Sequence, residues 1–141
     1  MDDAVVEFFR QSPEALPIYE RFASRVLAEV ADVEVRVQKT QVSFYNPRMF
    51  ACVSFLKVRR AAERPDPYLV VTLGLGEPIN SPRIDGAVEI RPGRWTLHIT
   101  LGSPDEVDDE LMGWVERAAA FSARSHSSKS SRGGKGGKER Q

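Results

Sequence analysis

The apolar positions of the chain fall at helical spacing near both ends and at alternating spacing between them. Leu16, Tyr19, Phe22, Ala23, Val26, Leu27 and Val30 recur every three or four residues, the period that lays one stripe along a helix. Val107, Leu111, Trp114, Val115, Ala118 and Phe121 repeat it near the C-terminus. Ser12-Pro13 precedes the first run and Ser103-Pro104 the second; serine accepts from free first-turn N–H groups, and proline lacks the N–H that the first helical position would leave unpaired. Glu106, three residues after Ser103, completes the pattern of a capping box. A third pair, Ser81-Pro82, predicts one or two helical turns after it, and a short helix is expected over residues 4–9.

In the middle of the chain, Val33, Val35 and Val37 alternate with Glu34, Arg36 and Gln38, as in a half-buried strand. Val42 and Phe44 are then apolar at even numbers, so a bulge or bend near 39–41 is needed to keep one face buried. Residues 49–58 are apolar on both sides, residues 59–67 form a charged, proline-bearing loop, and residues 68–75 alternate again. Arg91-Pro92-Gly93-Arg94 has proline and glycine in the order of a type II turn, and Trp95, Leu97, Ile99 and Leu101 are the apolar side of a last strand. The fold class this predicts is α+β in two layers: a mainly antiparallel sheet of four to five strands with N-terminal and C-terminal helices packed on one face. The other face is left to water or a ligand.

Composition adds the boundaries. A length of 141 residues with 41% hydrophobic and 28% charged residues suits one globular domain, expected over 1–124. Residues 125–141 contain no apolar residue to offset ordering entropy and are expected to be a disordered basic Ser/Gly/Lys tail. The tail holds five Lys or Arg and one Glu of the chain's 20 cations and 20 carboxylates, leaving 15 against 19 in a mildly acidic body. Cys52 is the only cysteine, which excludes an intramolecular disulfide and supplies no metal-ligand spacing. No window has membrane-spanning length, so a cytoplasmic location without membrane association is expected.

The polar half of the last strand, Arg94, Thr96, His98 and Thr100, points away from the side that Trp95 and Leu97 bury. Arg36, Gln38, Tyr68 and Thr72 from neighbouring strands could join it in a patch that holds a phosphate or carboxylate; a solvated face with cross-strand ion pairs is the ordinary alternative. Arg83 would oppose the dipole of a helix starting at Ser81, so something negative is expected beside it: a bound anion, or a carboxylate of the body. Lys39, Thr40 and Tyr45 flank the suspected bulge, a place where side chains are re-aimed towards sites and where a lysine also guards a sheet edge. Asp105, Glu106, Asp108, Asp109 and Glu110 are the acids a helix start favours more than a metal ridge. His98 is the only histidine of the body, and no serine-hydrolase pattern or phosphate loop accompanies it.

The segments FFRQSPEALPIYE, VRVQKTQVSFYN, SPRI, GRWTLHITL and DDELMGWVERAAAF, in this order and spacing over residues 5–121, resemble the bacterial family known as domain of unknown function 5655. Its Lys-Thr-Gln strand, Ser-x-Arg-Ile turn and Arg-Trp strand match Lys39, Thr40 and Gln41, then Ser81, Arg83 and Ile84, then Arg94 and Trp95. Where the family often has two adjacent histidines, this chain has Leu97 and His98, which puts in doubt any role that needs both imidazoles. The resemblance implies a compact α+β domain and no established activity; a distant similarity to frataxin-like proteins of the YdhG type would imply iron binding through acidic residues. The leading expectation is a non-enzymatic module recognising an anionic group, with Lys39, Thr40, Tyr45, Ser81, Arg83, Arg94 and His98 as candidate ligand-binding residues and no cofactor, metal or catalytic residue. Nucleic-acid association through the same face and the tail is the alternative, an enzyme of unrecognised type a third, and exposed edge strands leave room for a homodimer.

Overall fold

Asp2 caps the first helix, its Oδ1 accepting from Ala4 N at 3.0 Å, and starts α1 (Asp3–Phe8). The computed structural model describes residues 2–133 of the chain, with side chains as far as residue 124. Both long apolar stripes are helical: α2 (Leu16–Glu29) follows a 3₁₀ turn at Pro13–Ala15, and α3 (Asp109–Gly133) follows one at Pro104–Glu106. The serines do not cap as expected. Neither Ser12 nor Ser103 makes a side-chain cap bond, because proline opens a 3₁₀ turn that closes on backbone groups. Glu106 Oε1 accepts from Gly102 N at 2.7 Å, and Asp108 Oδ1 accepts from Leu111 N at 3.0 Å at the start of α3.

Six strands form one antiparallel sheet: β1 (Glu34–Val37), β2 (Gln41–Tyr45), β3 (Met49–Ser54), β4 (Leu69–Leu75), β5 (Gly86–Arg91) and β6 (Arg94–Leu101), in the order β1-β2-β3-β4-β6-β5. The sequence pattern predicted four to five. The additional one, β5, is an edge strand whose Val88 and Ile90 are exposed, so its apolar residues carry no core-facing signal, and the register breaks between Glu89 and Arg91. The phase change expected as a bulge or bend near 39–41 takes the form of a bend that closes a tight hairpin: Val37 faces Val42, and Gln38 N donates to Gln41 O at 2.8 Å. Gly93 has φ +76° in the Pro92-Gly93 turn between β5 and β6, the left-handed value that a type II turn requires and that glycine adopts without a Cβ penalty.

Register assigns the faces. Val42, Phe44, Ala51, Val53, Val71, Leu73, Leu97 and Ile99 align across β2, β3, β4 and β6 and join the helices in one buried cluster that includes Phe22, Leu111 and Val115. Phe22 of α2 meets Phe44 edge-on at 5.5 Å between ring centroids. Full burial of such side chains contributes about 1.5–3 kcal/mol each. On the opposite face Ser43, Cys52, Thr72 and His98 form a row across four strands. That face is not uniformly open, since Ser43, Val70 and Thr100 are buried on it. Ser43 is met by Gln38 and Gln41, and the 55–68 loop meets the far end of β6: a Cβ at Gly102 would lie 2.7 Å from Pro65 Cβ, so the loop seats there only because residue 102 has no side chain. Arg59 ties the same loop to Asp85 at 2.8 Å.

Helix α3 continues past the expected domain end at Arg124. The basic tail expected to be disordered, 125–141, lies outside the described side chains, and 134–141 lie outside the described residues. No helix among the described residues is long and apolar enough to cross a membrane.

Candidate functional site

The residues singled out in the sequence are distributed over four places. Lys39 and Thr40 sit at the tip of the β1–β2 hairpin. Tyr45, at the other end of β2, lies under the guanidinium of Arg36, 3.9 Å from the ring centroid, and Arg36 is in turn paired with Glu34 at 3.0 Å. Gln38 Oε1 accepts from Ser43 Oγ at 2.6 Å, and Tyr68 donates to Phe55 O at 2.7 Å. These partners satisfy the side chains that were expected to complete an anion patch on the open face.

His98 lies on that face in the strand next to the β5 edge, its Nδ1 2.9 Å from Thr72 Oγ1. Burial lowers the imidazole pKa below its ordinary value, outweighing the upward pull of Asp85. Thr72 also neighbours Cys52, whose thiol pKa is raised by burial and only partly drawn back by that hydroxyl. The row is a partly buried set with a neutral imidazole and a protonated thiol, Ser43 and Cys52 buried and Thr72 and His98 half-buried, which suits packing better than nucleophilic chemistry.

No helix follows Ser81. Ile84 N donates to Ser81 O at 3.1 Å and Arg83 N to Ser81 Oγ at 3.1 Å, which closes a turn rather than a helical start. A proline-initiated turn is complete in four residues, and Asp85 then enters the sheet, its N–H donating to His98 O at 2.8 Å. Arg83 has the negative partners that its position demanded, and they belong to the protein: Asp108 at 2.9 Å and Glu110 at 3.0 Å, with Glu106 O accepting at 2.8 Å. Burial pulls the Arg83 pKa down, but the two carboxylates raise it further.

Arg94 departs from the strand's polar row. Its guanidinium lies over the Phe121 ring of α3, 5.3 Å from the centroid. Its pKa is lowered, first by burial and then by the charges of Arg48 and Arg91. Arg91 is its direct register partner across the β5–β6 hairpin. Arg48 is brought in by the turn before β3, where its carbonyl accepts from Ser122 Oγ of α3 at 3.3 Å. None of the three is ion-paired to a carboxylate among the described residues. Sequence reasoning found Arg94 and overlooked its neighbours. The Pro-Gly turn that pairs Arg91 with Arg94 was a usable signal; Arg48 had none, being separated from them in the chain by three strands and their connections.

Among the described residues no group of three or more His, Cys, Asp or Glu is placed to hold a metal ion. Neither the curated proteins nor the solved structures contain a match to the chain. One family profile does match, over residues 5–122, which takes in most of α1, all of α2, the whole sheet and the first part of α3. The chain therefore belongs to the family described as domain of unknown function (DUF5655).

Proposed function

We propose that the chain is a non-enzymatic binding module that receives an anionic group, a phosphate or a carboxylate, at the end of the sheet where Arg48, Arg91 and Arg94 meet. The supporting observation is that Arg94 faces Arg91 across the β5–β6 register and has its pKa lowered first by burial and then by the charges of Arg48 and Arg91, while none of the three has a carboxylate partner among the described residues. An anion would relieve that repulsion, and guanidinium N–H donors match phosphate and carboxylate oxygens in pairs. A cytoplasmic setting suits the single buried thiol.

The test is calorimetric titration with inorganic phosphate and with citrate. Arg94→Ala is expected to weaken binding about tenfold, the loss of a charged hydrogen-bond donor. Arg83→Ala, whose guanidinium is already occupied by Asp108 and Glu110, is expected to leave it within about twofold. Wild-type protein that binds neither anion, or an Arg48/Arg91/Arg94 triple alanine variant that binds as wild type does, removes the reading.

Nucleic-acid association is the second reading, favoured by the fact that α3, which meets Arg94 and Arg48 through Phe121 and Ser122, leads into the basic residues 125–141. Fluorescence anisotropy with labelled oligonucleotides, with and without residues 125–141, separates the two. Contact through the tail alone vanishes with the tail or near physiological salt, whereas a phosphate-reading body retains binding.

A further inference from the structure

The two edges of the sheet are finished differently. Strand β1 is four residues long, its Val35 and Val37 pack against the core, and Arg36 and Glu34 form an ion pair along it; charges of this kind keep a sheet edge from pairing with another chain. Strand β5 pairs with β6 alone, and among the described residues no further strand lies beside it. Residues 87–91 are all exposed, Val88 at 55% and Ile90 at 62%. A row of backbone N–H and C=O groups is therefore left without sheet partners. Val88 and Ile90 are β-branched residues of the kind that gains from cross-strand neighbours, and they have a strand on one side only.

This free edge leads into the arginine cluster. Arg91 is the last residue of β5 and faces Arg94 across the Pro92-Gly93 turn. Arg94 and Arg48 meet consecutive residues of α3, the first through its guanidinium over the Phe121 ring at 5.3 Å and the second through its carbonyl, which accepts from Ser122 Oγ at 3.3 Å. The three arginines thus share one end of the sheet, with no carboxylate paired to any of them among the described residues. An unpaired strand edge and an uncompensated positive charge at its end are separate observations, and one ligand meets both.

We propose that β5 takes up an extended peptide as an added strand parallel to itself, with the peptide's C-terminal carboxylate received by Arg91, Arg94 and Arg48. The proposal rests on the anion reading above and names its ligand. Main-chain hydrogen bonds along the edge supply affinity, apolar side chains beside Val88 and Ile90 supply sequence preference, and the guanidiniums hold the terminus. Charge sets the direction: a peptide parallel to β5 ends at the cluster, whereas an antiparallel one places its α-amino group among three like charges. A second copy of the chain could also offer a strand. The acids of its β5 region, however, are engaged, Asp85 by Arg59 and Glu89 by Gly93 N at 3.3 Å, so a paired copy leaves the arginines uncompensated.

The full chain is titrated by fluorescence anisotropy with a labelled peptide of alternating Thr and Val that ends in a free carboxylate, and by calorimetry with inorganic phosphate. The peptide is expected to bind. Amidating its C-terminus is expected to weaken it about tenfold, and Arg94→Ala comparably, each losing a charged hydrogen bond; a central proline in the peptide, which cannot join the ladder, abolishes binding. The double variant Val88→Thr/Ile90→Thr keeps residues suited to an exposed strand. It is expected to bind the peptide about tenfold more weakly through lost apolar contact, with phosphate affinity within twofold of wild type. Phosphate binding without peptide binding, an amidated peptide that binds as the free acid does, or a double variant that binds the peptide as wild type does overturns this inference and leaves the anion reading standing. A chain that binds neither ligand overturns both. A wild-type chain that sediments as a dimer and becomes monomeric in the double variant assigns the edge to a second copy and overturns the peptide.

Discussion

His98 shows what burial does to a single group. Its folded pKa lies below the ordinary value of 6.5, with desolvation the larger influence and Asp85 the opposing one. A base whose folded pKa is depressed takes up its proton more readily in the unfolded chain, so its contribution to stability is present above about pH 6.5 and is lost as the pH falls through the lowered folded value. The denaturation midpoint is expected to fall between pH 7 and pH 5 in wild type, and to fall less steeply in His98→Gln. An imidazole signal of His98 titrating at or above 6.5 by NMR would contradict this. The same residue separates what the sequence showed from what it concealed. Strand alternation put His98 on the face away from the core, and it is there; Thr72 as its partner depended on the β4–β6 register, which no local pattern encodes.

At the scale of elements, α2, α3, β4 and β6 were legible because each carries an unbroken apolar stripe against the core. β5 was not, since Val88 and Ile90 are apolar residues left in solvent. The β1–β2 hairpin read only as a bulge or bend because its tip lacks the usual turn signature; the only positive φ values among the described residues belong to Asp32 and Gly93. The half of the candidate site around Arg94 was legible in its Pro-Gly turn. The cavity of about 530 Å³ beyond the Leu101 end of β6, lined by Arg59, Arg83 and Asp108 among others, was not legible, because it is assembled from a loop, a turn and the approach to α3 far apart in sequence. Gly102 marks that assembly. Gly102→Ala puts a methyl 2.7 Å from a proline ring carbon that has no flexible end to yield, and is expected to lower stability by about 1–3 kcal/mol through overpacking. Urea denaturation with an unchanged m-value measures it, and a loss below about 0.5 kcal/mol would show that the 55–68 loop does not seat against β6 as described.

For the whole molecule, a formal net charge of zero conceals a separation. Unpaired arginines gather at the Arg94 end of β6, and the carboxylates of 105–110 gather beyond its Leu101 end. From Arg94 to Thr100 the strand rises about 20 Å, at about 3.3 Å per residue, roughly twice the screening length at physiological ionic strength. Strand β6 is flanked by β4 and β5 along most of that length and cannot shorten without breaking both ladders. It therefore acts as an insulating spacer between two oppositely charged heads. Charge placed at one end of the strand is therefore screened from charge at the other, so each end of the sheet meets its surroundings on its own sign.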